Sequence, residues 1–240
     1  MVDYWLSNSD WYNETLPTGS LYEGKTLRTG SPRCDILVNR TEADRLRVRK
    51  TFGLNPDDRI LMYAPTFRGG SQTTDRRIQK EQERINYSEL IQALKQRFGG
   101  SWKIFLRLHP QLTARNIEGQ SDNPDVIGVS KVDDMYELLA GCDAFLTDYS
   151  SAAFDVAVMK IPVFLYCDDY KEYEKERGSL LWNMRELPFP MAENNNTLMK
   201  VIQGFDEDTY QTKLELLFQS TGMVEDGQAS KKVTQFIDHN

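Results

Sequence analysis

The sequence predicts an α/β layer fold built on a parallel sheet, and three observations carry that expectation. Short apolar runs recur along the chain, at "RILMY" (59–63), "SWKIFLRLHP" (101–110), "DVIGVS" (125–130), "DAFLTDYS" (143–150) and "IPVFLYCDD" (161–169). Segments with apolar residues at helical spacing stand between most of them. The runs are continuously apolar rather than alternating, as strands are when helices cover both faces of a sheet.

Taken in order, residues 2–8 read as a short strand, and Ser9 or Asp10 can cap a helix through about Leu16. The stretch "PTGSLYEGKTLRTGSPRCDILV" (17–38) is rich in Gly, Pro and Ser and reads as connecting structure. Thr41 opens a helix that ends near Gly53. Ile60–Tyr63 form a strand, and Pro65 ends its regular pairing. Residues 69–85 are the most polar stretch and read as an exposed loop. Leu90, Ile91, Leu94 and Phe98 mark a helix stopped by Gly99 and Gly100. The strand at 101–110 follows, then the short strand at 125–130, a helix over 132–141, a strand over 143–150, a helix over 151–160 and a strand over 161–169. Residues 170–190, charged and aromatic, read as a surface excursion, and three more helices complete the chain. The main boundary falls near residues 36–42.

Composition narrows the function classes. The balance of 29 basic against 36 acidic residues lacks the basic stripe of a nucleic-acid binder, so no nucleic-acid partner is expected. Cys34, Cys142 and Cys167 are odd in number and without CxxC spacing, and there are only two histidines, which argues against a Cys/His zinc cluster. No metal ligand set is expected. The start lacks the basic and apolar regions of a signal peptide, and Asp155 and Lys160 interrupt the richest apolar stretch. The tryptophans Trp5, Trp11, Trp102 and Trp182 read as packing residues.

In open α/β sheets, ligands bind beyond the carboxyl ends of the strands. Ala64–Arg68, Arg107–Pro110, Ser130–Lys131, Asp148–Ser151 and Tyr166–Asp169 fall there if the strands are parallel. At Asp148–Ser151 the serine hydroxyls and first-turn N–H groups can hold phosphate oxygens, or Asp148 or Ser150 simply caps a helix. Asp148 repels phosphate directly; it can orient a histidine, bind a sugar hydroxyl or hold a divalent ion. His109 can protonate or hydrogen-bond a phosphate, or serve as a structural strand-end residue. Arg107 is either a phosphate clamp or an exposed salt-bridge partner. "YAPTFRGG" (63–70) offers a bend, the Thr66 hydroxyl and Arg68, yet it is not a Walker loop.

"GSPRCDIL" (30–37), "YAPTFR" (63–68), "LRLHP" (106–110) and "TDYSSAAFD" (147–155), in this order and with "DGQASKKV" (226–233) near the end, resemble the CDP-glycerol glycerophosphotransferase family of teichoic-acid and capsule polymer synthesis. The resemblance runs from about residue 3 to 237. It implies a Rossmann-like domain similar to the C-terminal lobe of a GT-B glycosyltransferase, spanning 41–240 and binding a CDP-polyol donor, with residues 1–40 as a remnant of the first lobe and the crossover. The implied reaction passes a polyol phosphate from CDP-glycerol to a hydroxyl of a lipid-linked or polymeric polyol-phosphate acceptor and releases CMP, in the cytoplasm at the inner face of the membrane.

Carried over by motif, His109 would stand by the pyrophosphate with Asp148 as the second catalytic residue. Thr66, Arg68, Arg107, Ser150 and Ser151 would line the donor cleft, and the Gln228–Ala229–Ser230 loop would close it. The family's first lobe carries an HGT-like motif whose histidine is its proposed general base. That motif is absent from this sequence, so the chain is expected to be inactive or very slow alone and to need a first lobe supplied separately. The other reading is a noncatalytic nucleotide-binding or scaffolding module that partners such a lobe.

Overall fold

The computed structural model describes residues 3–19, 22, 24–66, 84–108, 121–178 and 180–239. Its centre is a six-stranded, wholly parallel sheet. The strands are β3 (Arg59–Tyr63), β4 (Trp102–Leu106), β5 (Val126–Gly128), β6 (Ala144–Thr147), β7 (Val163–Tyr166) and β8 (Met191–Ala192), in the spatial order β5-β4-β3-β6-β7-β8. Leu61 is opposite Ile104 on one side and Ala144 on the other, so β3 is the middle of the sheet. Every residue of β6 and β7 is buried.

Helices cover both faces. Alternation along β4 sends Trp102 and Phe105 to opposite sides. The Trp102 ring meets Phe98 of the helix α4 (Tyr87–Phe98) at 5.8 Å. The Phe105 ring meets Phe52, which ends α3 (Glu42–Thr51), at 4.7 Å. Burying side chains of this size stabilises the fold by roughly 1.5–3 kcal/mol each. Helix starts follow the local chemistry. Thr41 and Asp44 form a reciprocal capping box on α3, and the Asn86 side chain accepts the Glu89 N–H to open α4. Gly99, at φ +70°, turns the chain out of α4.

The crossover connections carry the short helices α5 (Met135–Leu139) and α6 (Ala152–Ala157) and then α7 (Tyr170–Arg177). After β8 come α8 (Asn195–Gln203), α9 (Glu207–Thr221) and α10 (Ala229–His239).

Residues 4–38 form a smaller unit beside the main sheet. β1 (Tyr4–Ser7) pairs in parallel with β2 (Lys25–Arg28), joined by α1 (Asp10–Gly19). Ser9 caps α1, its hydroxyl accepting the Tyr12 N–H at 3.1 Å. A 3₁₀ turn at Pro32–Cys34 leads into α2 (Asp35–Val38).

Two readings of the sequence need correction. The stretch 17–38 holds β2 and two helical turns rather than connecting structure alone; "KTLR" has no apolar alternation, and its strand state comes from pairing with β1. Residues 170–190 include α7 and then bury Met184, Leu187 and Phe189, so only part of that stretch is surface. The exposed loop expected at 69–85 lies almost wholly outside the described residues.

Candidate active site

The carboxyl ends of β3, β4, β5, β6 and β7 lie along one edge of the sheet, because all five strands run the same way. The Asp148 carboxylate, 1% exposed, joins two of these ends. It accepts the Thr66 N–H on both oxygens, at 2.9 and 3.0 Å, and the N–H of Tyr149 at 2.7 Å. The neighbouring Thr147 hydroxyl donates to the Ala64 carbonyl at 2.7 Å. The loop after β3 is thereby held on the turn after β6. That turn continues through Ser150, whose hydroxyl accepts the Ala152 N–H at 3.2 Å, to Ser151 at the start of α6. Ser151 makes no side-chain capping bond.

Beyond β4 and β5 a similar tie operates. The Leu108 N–H donates to the Ser130 hydroxyl at 2.9 Å, which fixes the chain immediately before His109. Arg107 donates from its guanidinium to the carbonyls of Val132 (2.7 Å), Val129 (3.1 Å) and Asp133 (3.4 Å). Burial lowers its pKa from the usual arginine value, with Asp134 and Asp133 opposing that shift. Of the two roles read from sequence, phosphate clamp or salt-bridge partner, these bonds match neither directly: they hold the β5–α5 loop to the end of β4. Arg68 and His109 lie outside the described residues.

Gln228 immediately precedes α10, and Ala229 and Ser230 begin it. The N–H groups of Ala229 and Ser230 both point to the Asp35 carboxylate, at 2.8 Å each, and the Gln228 N–H donates to Asp226 at 3.1 Å. A negatively charged group at a helix start is favourable, and here the chain supplies that group itself.

The motif at 30–37 does more than the sequence reading assigned. Arg33 lies side-on to Asp155 of α6, with Nε on Oδ2 at 3.0 Å and Nη2 on Oδ1 at 3.3 Å. Asp155 also accepts the Tyr136 hydroxyl at 2.6 Å and the Cys34 thiol at 3.5 Å. Burial opposes the Arg33 charge, yet the bonds and charge of Asp155 outweigh it and hold the guanidinium protonated. Burial first, then Asp155, pushes the Cys34 thiol up. Gly30, at φ +85°, lets Glu225 approach; a Cβ there would lie 2.9 Å from the Glu225 carboxylate, which takes the Ser31 N–H on both oxygens at 3.1 Å. Thus Arg33, Cys34 and Asp35, three consecutive residues, bind α6 and α10. Neither Arg33 nor Asp155 reads as a site residue from sequence; Asp155 stands out only as a charge interrupting an apolar stretch, and both sit inside quoted motifs.

Among the described residues no group of three or more His, Cys, Asp or Glu side chains is placed to hold a metal ion. Among the same residues no helix is long and apolar enough to cross a membrane.

A family model described as CDP-glycerol:poly(glycerophosphate) glycerophosphotransferase matches residues 1–239. The chain belongs to this glycerophosphotransferase family. It is 33% identical over 218 residues to the teichoic acid glycerol-phosphate transferase of Staphylococcus aureus (strain NCTC 8325 / PS 47), covering 89% of this chain and 54% of that protein. It is 29% identical to the teichoic acid poly(glycerol phosphate) polymerase of Staphylococcus epidermidis (strain ATCC 35984 / DSM 28319 / BCRC 17069 / CCUG 31568 / BM 3577 / RP62A), covering 98% of this chain and 33% of that one. Among solved structures, a variant of the wall teichoic acid polymerase TagF soaked with CDPG superposes with a TM-score of 0.80 at 27% identity, over 99% of this chain and 57% of that chain. The chain therefore spans about half the length, or less, of the relatives it matches. The parallel α/β architecture is that of the TagF structure, as the GT-B-like reading of the sequence anticipated.

Proposed function

We propose that this chain supplies the donor-binding half of a transferase that moves glycerol phosphate, or a related polyol phosphate, from CDP-glycerol to a hydroxyl of a lipid-linked or polymeric acceptor. The observation that carries the reading is the Asp148 carboxylate binding the Thr66 loop to the Ser150–Ser151 turn at the carboxyl edge of a parallel sheet. In a family whose relatives are named for glycerol-phosphate and poly(glycerol phosphate) transfer, that edge is where a diphosphate belongs.

The chemistry follows from the groups present. The acceptor hydroxyl passes its proton to a general base on the first lobe as it attacks the β-phosphorus of CDP-glycerol; the bond from that phosphorus to the bridging oxygen breaks, and CMP leaves with the electron pair. Arg68, Thr66, Ser150 and Ser151 stabilise charge on the phosphate oxygens, and His109 hydrogen-bonds or protonates the departing side. Asp148 orients the loop that carries Thr66 and Arg68. Arg107 acts on the donor through the loop it holds, and Gln228 and Ser230 offer their side chains once the Ala229 and Ser230 N–H groups are committed to Asp35. A divalent ion on the diphosphate would add charge stabilisation. Residues 1–40 act as the crossover to a first lobe, 41–240 as the donor domain, and the reaction runs at the inner face of the membrane.

Calorimetry with CDP-glycerol, CMP and UDP-sugars tests the donor, on the wild-type chain and on His109→Ala. Binding of CDP ligands only, weakened in the variant without a change in melting temperature, is the expected result. Absence of binding by folded protein overturns it. A transfer assay with and without an added first lobe then separates a catalytic half from a scaffolding module: stimulation by the added lobe is expected, and donor binding with no transfer in either case favours the module.

A further inference from the structure

Two adjoining cavities lie beyond the Asp148–Ser151 turn. The smaller, about 280 Å³, is bounded by Tyr149, Ser150 and apolar side chains. The larger, about 450 Å³, opens between the N-terminal unit and the Arg33–Asp155 pair. Ser151, Phe154, Leu181 and Trp182 wall both, so the larger cavity continues directly from the turn assigned to the donor phosphates.

Its walls have two kinds of chemistry. One wall is aromatic: the Trp11 and Trp182 rings meet at 4.8 Å with a 37° tilt, and Phe154 follows Trp182 at 6.1 Å. The faces of such rings carry partial negative charge and attract the polarised C–H bonds of a ring laid against them. The other wall is polar. The Arg33 side chain is 54% exposed while its Asp155 partner is 6% exposed, so the pair presents the guanidinium to the cavity from a buried anchor. Arg33 uses Nε and Nη2 on Asp155, and Nη1 makes no hydrogen bond among the described residues. Asn8 and Ser31 also line this side. Donors and acceptors stand together there, fixed by Tyr136 and Cys34 behind Asp155.

Charge discriminates between occupants. A phosphate would meet a guanidinium already neutralised by Asp155, whereas a neutral hydroxyl can accept from the Arg33 Nη1 without needing its net charge. An aromatic platform facing a neutral donor–acceptor wall, in a volume within the range of small-molecule sites, suits a hydroxylated ring.

We propose that this cavity is a carbohydrate subsite, taking a pyranose ring against Trp11, Trp182 and Phe154 with its hydroxyls on Arg33 and Asn8. Its assignment to the acceptor rests on the transferase reading; its affinity for a sugar ring does not.

The test titrates the full chain with methyl β-D-glucopyranoside, methyl N-acetyl-β-D-glucosaminide, sn-glycerol 3-phosphate and CMP, followed by tryptophan fluorescence and saturation-transfer NMR. Saturable binding of a glycoside is expected, persisting in saturating CMP and weakened roughly tenfold by Trp182→Ala. Trp182→Phe and Asn8→Ala provide readings if the alanine variant fails to fold; both are expected to weaken the glycoside and leave CMP affinity unchanged. Absence of glycoside binding, displacement by CMP, or binding of glycerol 3-phosphate alone each overturns the subsite. CDP-glycerol binding without glycoside binding defeats this inference and leaves the donor reading standing. Glycoside binding without any CDP ligand keeps the subsite and removes its acceptor role.

Discussion

Asp148 and Thr66 are 82 residues apart, and the Thr66 N–H reaches both oxygens of the Asp148 carboxylate, at 2.9 and 3.0 Å. One buried side chain thus sets the distance between the loops that follow β3 and β6. Asp148→Ala leaves the Thr66 and Tyr149 N–H groups without that acceptor and is expected to cost about 1–3 kcal/mol. Urea unfolding measures this, and calorimetry is expected to show weaker CDP-glycerol binding by the folded fraction. Full donor affinity in the variant would detach this carboxylate from the site.

The two serines of the same turn separate stability from binding. Ser150 accepts the Ala152 N–H, so Ser150→Ala is expected to lose about 0.5–1 kcal/mol of stability. Ser151 makes no capping bond, and Ser151→Ala is expected to melt within about 0.5 kcal/mol of wild type. A fall in CDP-glycerol affinity in the Ser151 variant therefore reports contact with the donor. Unchanged affinity there would remove Ser151 from the phosphate site.

Arg49 is 1% exposed and binds the carbonyls of Asp58, Arg45 and Gly141 and the carboxylate of Asp143 at 2.6 Å. Asp143→Ala strands this buried cation and is expected to destabilise the fold by about 3 kcal/mol, with no selective effect on donor binding. Chemical denaturation checks the first part and ligand titration of the folded variant the second.

Glu225 titrates differently in the folded chain. Burial raises its pKa above the ordinary carboxylate value, and its bonds to Ser31 and Asn8 only partly offset that. A raised carboxylate binds its proton more tightly when folded, so the fold loses stability as pH rises from the unfolded pKa through the folded one. Glu225→Gln removes this dependence. Its melting temperature relative to wild type is expected to climb as pH rises above about 4, the ordinary carboxylate range. A pH-independent difference would assign Glu225 a purely geometric role.

The buried thiols give a fifth check. Burial pushes Cys34 and Cys142 up, with adjacent carboxylates adding to the effect. Native protein at pH 8 is expected to resist iodoacetamide at both positions and to react on unfolding. Mass mapping of the modified peptides distinguishes the two states. Rapid native labelling of Cys34 would mean that the Arg33–Asp155 contact opens readily.

Much of the sheet was legible because its strands are buried on both faces and therefore read as apolar runs. β2 was not: Lys25–Arg28 is half exposed and acquires its strand state from β1. β8 has only two residues, and α7 is a charged segment with little apolar periodicity. At the site, Asp148 and Thr66 could be placed because both follow strands. The use of Arg107 could not, since its partners are backbone carbonyls of a loop more than twenty residues away. The Arg33–Asp155 pair spans 122 residues, and no local spacing signals it. Asp35 lies in a stretch that reads as connecting structure, while its carboxylate serves the start of α10, 194 residues away.

The clasp between residues 28–39 and 222–230 has a consequence for the order of assembly. Arg28 donates to the Gly222 carbonyl, Ser31 to Glu225 and Asn39 to the Gly227 carbonyl, and Asp35 accepts from Ala229 and Ser230. The two halves of each bond are separated by nearly the whole chain. At ribosomal rates of about 5–20 residues per second, the earlier half waits roughly 10–40 s for its partner to be made. Residues 59–192 can pair strand by strand in that interval, each with a neighbour already synthesised. The nascent protein would then hold a formed sheet whose N-terminal unit is still unfastened, and a chain stopped before residue 222 would stay in that state.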